Sequence, residues 1–136
     1  SPYDMKKSML SILLISLLVG CRHETRDEKY QRQAREFTES SCPKPMDKYT
    51  VLDSLVYDIE GRVMRYHYSV SGVMDTASAY NSEMRALFHT NLLDNIRQNT
   101  GYIELKEHEV TFQYCYHSST DTIVYMNFIF APHDYR

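Results

Sequence analysis

The sequence predicts an α+β domain in which a hairpin, a helix and a second hairpin form a four-stranded antiparallel sheet with one helix packed on one face. Two pairs of short stretches alternate apolar and polar residues, which is typical of strands with one buried face. The stretch 79–99 instead repeats its apolar residues every three or four positions, as an amphipathic helix does. Turn-forming residues separate the strands within each pair.

The first hairpin is predicted from strands at 50–59 and 62–70, with Gly61 in the short turn between them. The second of these strands alternates more regularly than the first. Its apolar face carries Met64, Tyr66, Tyr68 and Val70, and its polar face carries Arg65, His67 and Ser69.

The helix at 79–99 is predicted from one apolar stripe, with Ser78 as a candidate N-cap and Gly101 as a C-terminal stop. The members of the stripe are Tyr80, Met84, Leu87, Phe88, Leu92 and Ile96. We expect this stripe to cover the aromatic faces of the strands.

The second hairpin is predicted from strands at 109–117 and 122–130, and Pro132 ends the last strand. One face is expected to carry Val110, Phe112, Tyr114, Tyr116, Val124, Met126, Phe128 and Phe130. The opposite face is expected to carry Gln113, Cys115 and His117 together with Ile123, Tyr125 and Ile129.

Residues 5–21 have the three parts of a secretory signal: two lysines, an apolar run and a small residue before Cys21. The apolar run is about a dozen residues long, whereas a membrane-spanning helix needs roughly 20. A buried core helix is the other alternative. It is disfavoured because the apolar residues of the run surround the helix instead of forming a stripe.

The motif Leu18-Val19-Gly20-Cys21 resembles the lipobox of bacterial lipoproteins. The resemblance implies cleavage before Cys21 and acylation of its thiol, for example with palmitate. The protein would then be held at a lipid bilayer without spanning it. Arg22 stands where an Asp retains such proteins at the inner membrane, so the resemblance implies the outer membrane of the cell envelope.

The chain is therefore predicted to divide into upstream residues and signal peptide (1–20), a tether (21–45) and an α+β domain (46–136). Within the tether, Tyr30, Ala34 and Phe37 form a narrow helical stripe. A lightly docked helix and a solvated, frayed segment are both compatible with this composition.

Assigning Cys21 to lipid leaves two cysteines, Cys42 and Cys115, in an oxidising compartment. They are predicted to form a disulfide that would hold the tether against one sheet face. Two unpaired thiols, with one serving as a small apolar filler, are the alternative.

The polar face of the sheet is the predicted binding face, and its members are Arg65, His67, Gln113, His117 and Tyr125. A metal site there is disfavoured because no ligands recur at metal-binding spacing. A thiol enzyme built on Cys115 and His117 is disfavoured because no Gly-rich turn or helix start lies nearby to lower the thiol pKa. No cofactor is predicted. The net charge of −3 without a basic run argues against nucleic acid.

From the lipobox to the closing Asp134-Tyr135, the order of features resembles small uncharacterised lipoproteins of Bacteroidetes-type bacteria. This resemblance implies no activity. We therefore expect a non-enzymatic, membrane-anchored lipoprotein that binds an envelope protein partner or supports envelope assembly. The alternatives are a small-ligand or glycan binder that uses the open sheet face, and a small thiol- or histidine-dependent enzyme.

Overall fold

The computed structural model describes residues 23–136, which fold into a five-stranded mixed sheet with helices packed against it. The strands, in sheet order, are β1 (Lys44–Pro45), β2 (Thr50–Asp58), β3 (Val63–Val70), β4 (Thr111–Ser118) and β5 (Val124–Phe130). The α-helices are α1 (Arg26–Ser41), α2 (Ser82–Gln98), α3 (Ile103–Glu107) and α4 (Pro132–Tyr135), and three 3-10 turns span Gly72–Met74, Ala77–Ala79 and Thr100–Tyr102.

The α+β class and the two hairpins are confirmed, but the expected all-antiparallel sheet with a single helix is wrong. β3 and β4 pair in parallel, with Met64 opposite Phe112 and Val70 opposite Ser118. The cause is the long connection that contains α2, because a helical crossover returns the chain to the same end of the sheet. The chain between the two hairpins therefore sets their relative direction.

A fifth strand comes from the proline-containing segment that the sequence marks as a linker. Lys44 and Pro45 pair with Leu52 and Val51 at the edge of the sheet. Proline is tolerated at an edge because it has no N–H to donate to a second neighbour.

The two central strands bury one face in strict alternation, as the sequence predicts. Every second side chain of β3 and β4 is buried, and Phe112 and Tyr114 are almost completely inaccessible. The rows of the two strands lie side by side, so that they form one continuous aromatic surface.

A β-bulge in β5 changes the predicted faces of that strand. Tyr116 pairs with Met126 while His117 pairs with Val124, so Tyr125 is an extra residue. Tyr125 is consequently buried beside Met126, and Val124 is 54% exposed. The assignment of Tyr125 to the predicted binding face is wrong for this reason.

The segment predicted as a tether contributes a full helix to the core. Tyr30 and Ala34 of α1 are buried, and the Tyr30 ring meets Tyr57 edge to face at 5.5 Å. The Thr38 hydroxyl donates to the carbonyl of Leu55 and accepts from its N–H, each at 2.9 Å. α1 thus satisfies backbone groups of β2 that the two-residue β1 leaves unpaired.

Both long helices pack toward the aromatic face, α1 from the β2 side and α2 from the side of β4 and β5. Phe88 of α2 meets Tyr116 edge to face at 5.3 Å, and His89 lies 5.0 Å from the Phe130 ring. Ile96 of α2 is completely buried. The opposite sheet face is covered by no helix among residues 23–136.

The first turn of α1 is fixed by a partly buried carboxylate contact. The Tyr57 hydroxyl donates to Asp27 Oδ1 at 2.6 Å, and His108 Nε2 lies 3.2 Å from the same oxygen. The hydrogen bond from Tyr57, assisted by His108, holds the pKa of Asp27 below its usual range. The contact joins α1, β2 and the loop before β4.

We predict that Tyr57→Phe lowers the free energy of unfolding by about 1–2 kcal/mol at pH 7, because it removes a hydrogen bond to a charged group. Since the pKa of Asp27 is lower in the folded state, its contribution is present above the unfolded-state pKa and is lost as pH falls through the folded-state pKa. Urea denaturation at pH 7 and near pH 3 should show that the free energies of unfolding of the unchanged protein and of Tyr57→Phe differ less in acid. The control is Tyr49→Phe, because the hydroxyl of Tyr49 has no hydrogen-bond partner among residues 23–136. If Tyr57→Phe lost the same stability at both pH values, the hydrogen bond from Tyr57 to ionised Asp27 would not be its cause.

Candidate functional site

A cleft of about 580 Å³ opens on the aromatic face between α2 and the C-terminal half of α1. Its floor consists of Tyr66, Tyr68, Tyr114 and Tyr116. Phe37 of α1 and the α2 residues Leu87, Phe88 and Leu92 form its apolar walls. We call this space the aromatic cleft. Its volume lies in the range of small-molecule sites in proteins, roughly 300–1,000 Å³.

The floor is built by the parallel register of β3 and β4. Tyr66 lies opposite Tyr114, and Tyr68 lies opposite Tyr116. The rings of the two pairs stack at 4.7 and 4.6 Å, with interplanar angles of 13° and 10°. These distances match the spacing of neighbouring strands, about 4.8 Å. The ring faces are therefore occupied by each other, and the ring edges and hydroxyls are left for the cleft.

Three of the four floor hydroxyls, those of Tyr68, Tyr114 and Tyr116, have no hydrogen-bond partner among residues 23–136, and of these the Tyr114 hydroxyl is buried while the other two face the cleft. The Tyr66 hydroxyl donates to that of Tyr102 at 3.3 Å, whereas those of Tyr68 and Tyr116 make no hydrogen bond within this part of the chain. Both side chains are more than nine-tenths buried. Burial raises the pKa of Tyr68 and of Tyr116, so both hydroxyls remain protonated and able to donate.

The cleft has few polar lining residues besides its tyrosines. Asp47, Thr50, Asn91 and Asn95 are its polar lining residues besides the tyrosines, and none of its lining residues within 23–136 is basic. Asp47 Oδ1 accepts from the N–H groups of Tyr49 and Thr50, both at 2.9 Å. These two hydrogen bonds fix the position of the one carboxylate that lines the cleft.

A second cavity of about 300 Å³ adjoins the aromatic cleft. The two spaces share Phe37, Leu55, Tyr66 and Tyr102 as lining residues. The second cavity continues beneath α1 toward Met64 and Leu105. The shared side chains stand between two parts of one elongated apolar space.

The predicted binding face is brought together on the opposite side of the sheet, except for Tyr125. Arg65 Nε donates to Gln113 Oε1 at 2.9 Å, and Gln113 Nε2 donates to Asn127 Oδ1 at 2.9 Å. Arg65 also lies 3.6 Å from Asp58. We call this surface the open face. The polar groups of this row are joined by hydrogen bonds across β3, β4 and β5 and by an ion pair to β2.

The histidines of the open face are similarly engaged or buried. His117 Nε2 lies 3.2 Å from Asp53, which also accepts from the Ser69 hydroxyl at 3.0 Å. Burial, with His117 and Arg65 nearby, lowers the pKa of His67. His67 lies directly opposite Cys115 in the sheet. Within 23–136 no group of three or more His, Cys, Asp or Glu side chains is placed to hold a metal ion.

Tyr125 has a structural role away from the open face. Its ring stacks on Tyr80 at 4.8 Å, and its hydroxyl donates to Asp75 Oδ1 at 2.7 Å. Asp75 also accepts from Ser119 and Thr120. These contacts join the loop after β3 to the turn between β4 and β5.

The predicted disulfide is not formed, since Cys42 and Cys115 are both free thiols. Cys42 caps α1 and packs against the aromatic core, just before β1, whereas Cys115 lies on β4 and faces the other side. From β1 to β4 the sheet spans three strand spacings, about 14 Å. A disulfide requires Cα atoms within about 7 Å. Burial raises the pKa of both thiols, which makes them poor nucleophiles.

The predicted cleavage motif and lipidation site, Leu18, Val19, Gly20 and Cys21, lie outside the described residues. In the described part of the chain, every helix is too short or too polar to cross a bilayer.

The aromatic cleft is the feature that the sequence reasoning did not identify. The tyrosines at 66, 68, 114 and 116 were placed correctly on the buried face, and a helix was expected to cover them. The sequence does contain a chemical signal for the cleft. Four tyrosine hydroxyls lie on the face that was predicted to be buried, and each of them requires a hydrogen-bond partner or water. Without the parallel register, the sequence could not show that the four rings meet.

Comparison with known proteins identifies a family and a fold. Residues 25–126 match the profile of a family described as a domain of unknown function (DUF8479). A crystal structure of a "putative secreted protein" from Pseudomonas aeruginosa has a TM-score of 0.64 and 16% sequence identity to this chain. The match covers 85% of this chain and all of that one. The likeness shows a shared fold. A search of curated proteins gives no match.

We predict that a chain shortened to begin at Arg22 has two titratable thiols per molecule when it is unfolded in guanidinium without reductant. In the native state these thiols should react slowly with a disulfide reagent, because burial raises their pKa. Cys115→Ser should reduce the count to one and Cys42→Ser likewise. A count of zero before reduction and two afterwards would contradict the free-thiol assignment.

Proposed function

This chain belongs to the family described as a domain of unknown function (DUF8479), and we propose that it is an extracytoplasmic lipoprotein whose domain binds a small apolar molecule in the aromatic cleft. The observation that carries this proposal is the tyrosine floor of the apolar cleft, where the hydroxyls of Tyr68, Tyr114 and Tyr116 have no partner within residues 23–136 and that of Tyr114 is buried. Buried polar groups of folded proteins are normally hydrogen bonded, and exceptions require an explanation. A bound ligand supplies one.

The contrast between the two sheet faces supports the cleft as the binding site. On the open face Arg65 and Gln113 hydrogen bond within the row, and His117 is paired with Asp53. In the cleft, apolar walls stand beside hydroxyls that lack partners. The small-ligand alternative therefore moves from the open face to the aromatic face.

Binding without catalysis is proposed from the chemistry of the cleft. Its one carboxylate, Asp47, is occupied by two backbone N–H groups through Oδ1. The buried tyrosines have raised pKa values and are held as neutral phenols. Such groups orient a ligand by hydrogen bonds and remove its apolar surface from water, which contributes about 25 cal/mol per Å².

The proposed location rests on the lipobox at Leu18–Cys21. The Pseudomonas aeruginosa protein with the same fold carries the description of a secreted protein, which agrees with an extracytoplasmic site. Acyl chains on Cys21 would each contribute about 0.8 kcal/mol per buried methylene, and two or more chains hold a protein durably. The first described residue is His23, so α1 would follow the anchor closely. The outer membrane is the proposed bilayer because Arg22 replaces an inner-membrane retention signal.

We predict that the protein binds the uncharged dye Nile red, with a rise in fluorescence, and that Leu87→Trp weakens binding about tenfold, equivalent to about 1.4 kcal/mol. Leu87 lines the cleft and is 55% exposed. The matched control is Ile129→Trp, since Ile129 is 58% exposed and lies opposite Gln113 on the open face. Equal affinities of the two variants, or a loss only with Ile129→Trp, would reject the cleft as the site.

We predict that Cys21→Ser abolishes labelling by palmitate and moves the protein from the membrane fraction to the soluble fraction of the bacterial cell. Cys42→Ser, which changes a thiol of the folded domain, should leave both properties unchanged. The measurement is metabolic labelling followed by fractionation of inner and outer membranes. Palmitate incorporation that persists in Cys21→Ser would refute the proposed anchor.

A further inference from the structure

We infer that the ligand of the aromatic cleft is an uncharged amphiphile, with an apolar chain and a head group that carries hydrogen-bond acceptors, such as a glycerol ester. This inference rests on the proposed function and adds the chemical class of the ligand. Three features of the cleft lead to it: the single carboxylate in its lining, the donors on its floor and the apolar cavity that adjoins it.

The negative charge of Asp47 disfavours anions in the cleft. Asp47 is the one ionisable carboxylate among the lining residues of the aromatic cleft, and no basic side chain lines it in the described part of the chain. The Lys44 ammonium is not a lining group, and it lies over the Phe37 ring, 5.8 Å from the centroid. An acyl carboxylate or a phosphate in the cleft would meet Asp47 without a compensating cation.

Cations are disfavoured by desolvation. An ammonium that enters between Phe88, Leu92 and the tyrosine floor loses its hydration, which is costly unless a partner replaces it. Asp47 could attract it, but one oxygen of that carboxylate already accepts two backbone hydrogen bonds. An uncharged head group avoids both penalties.

The tyrosine hydroxyls on the floor of the cleft favour a ligand head group that carries hydrogen-bond acceptors. Tyr68 and Tyr116 stack on each other at 4.6 Å, so their hydroxyls are neighbours and can reach the same head group. Both hydroxyls are protonated and unpartnered within residues 23–136. Ester and alcohol oxygens, as in a glycerol ester, match two adjacent phenol donors.

The adjoining cavity has space for the apolar chain of the ligand. It is lined mainly by apolar side chains, including Leu55, Met64 and Leu105, and it shares four lining residues with the aromatic cleft. Phe37 and Tyr102 stand between the two spaces. A narrow apolar tail passing between these side chains would occupy both cavities with its head at Asp47 and the hydroxyl pair.

The experiment compares three ligands that share a ten-carbon chain: 1-decanoylglycerol, decanoate and decylammonium. Each is titrated by calorimetry at pH 7.5, below its micellar concentration, into the folded protein. We expect the uncharged ester to bind at least about tenfold more tightly than either ion. A decanoate or decylammonium affinity equal to or above that of the ester overturns the inference.

Two variants test the roles of the Asp47 carboxylate and of the floor hydroxyls separately. Asp47→Asn keeps the acceptor oxygen for Tyr49 and Thr50, so it should strengthen decanoate binding several-fold and leave the ester unchanged. The double change Tyr68→Phe and Tyr116→Phe should weaken the ester about tenfold, since each lost hydrogen bond costs a factor of about 2 to 10. Tyr49→Phe is the control for the phenol substitutions and should have no effect. Unchanged affinities in both test variants contradict the inference.

The outcomes separate this inference from the function on which it rests. If Nile red binds in the cleft but none of the three decyl compounds does, the amphiphile class is wrong and the binding function stands. If Nile red also fails to bind, both are wrong. Thermal unfolding of every variant shows whether a loss of binding reflects a loss of the fold.

Discussion

The parallel pairing of β3 with β4 is the constraint on which the rest of the structure depends. It places Tyr66 beside Tyr114 and Tyr68 beside Tyr116, with their rings in contact at the spacing of the strands. Stacked rings stand upright and present edges and hydroxyls to whatever covers the sheet. A cover made only of apolar side chains would leave those hydroxyls without partners, so this floor suits a wet or ligand-filled space better than a dry core.

The helices complete the space without filling it. α1 lies along β2, where Thr38 hydrogen bonds to both backbone groups of Leu55 and the Asp27–Tyr57 contact fixes its first turn. α2 is held near its C-terminal end by the buried Ile96, while Leu87 in its N-terminal half remains exposed beside the cleft. Two helices that dock on different strands leave a gap over the central pair. That gap is the aromatic cleft.

Much of the fold follows from local sequence pattern, and the remainder depends on pairing between distant segments. The alternation that buries Tyr66 and Tyr114 can be read directly from the sequence. The direction of β4 relative to β3 cannot be read from the sequence in this way, because it depends on the end of the sheet to which the crossover through α2 returns the chain. The bulge that buries Tyr125 is likewise a property of two strands together. The polar residues of the predicted binding face lie together as expected, apart from Tyr125, but their hydrogen bonds to each other depend on contacts between strands that a local pattern does not show.

The proposed function requires that ligands enter on the tyrosine side of the sheet and not on the histidine side. Nuclear magnetic resonance of protein labelled in its tyrosine and histidine rings tests this claim most directly. On addition of an apolar ligand, we expect the ring signals of Tyr68 and Tyr116 to shift and those of His67 and His117 to stay in place. Shifts confined to the two histidines would contradict it.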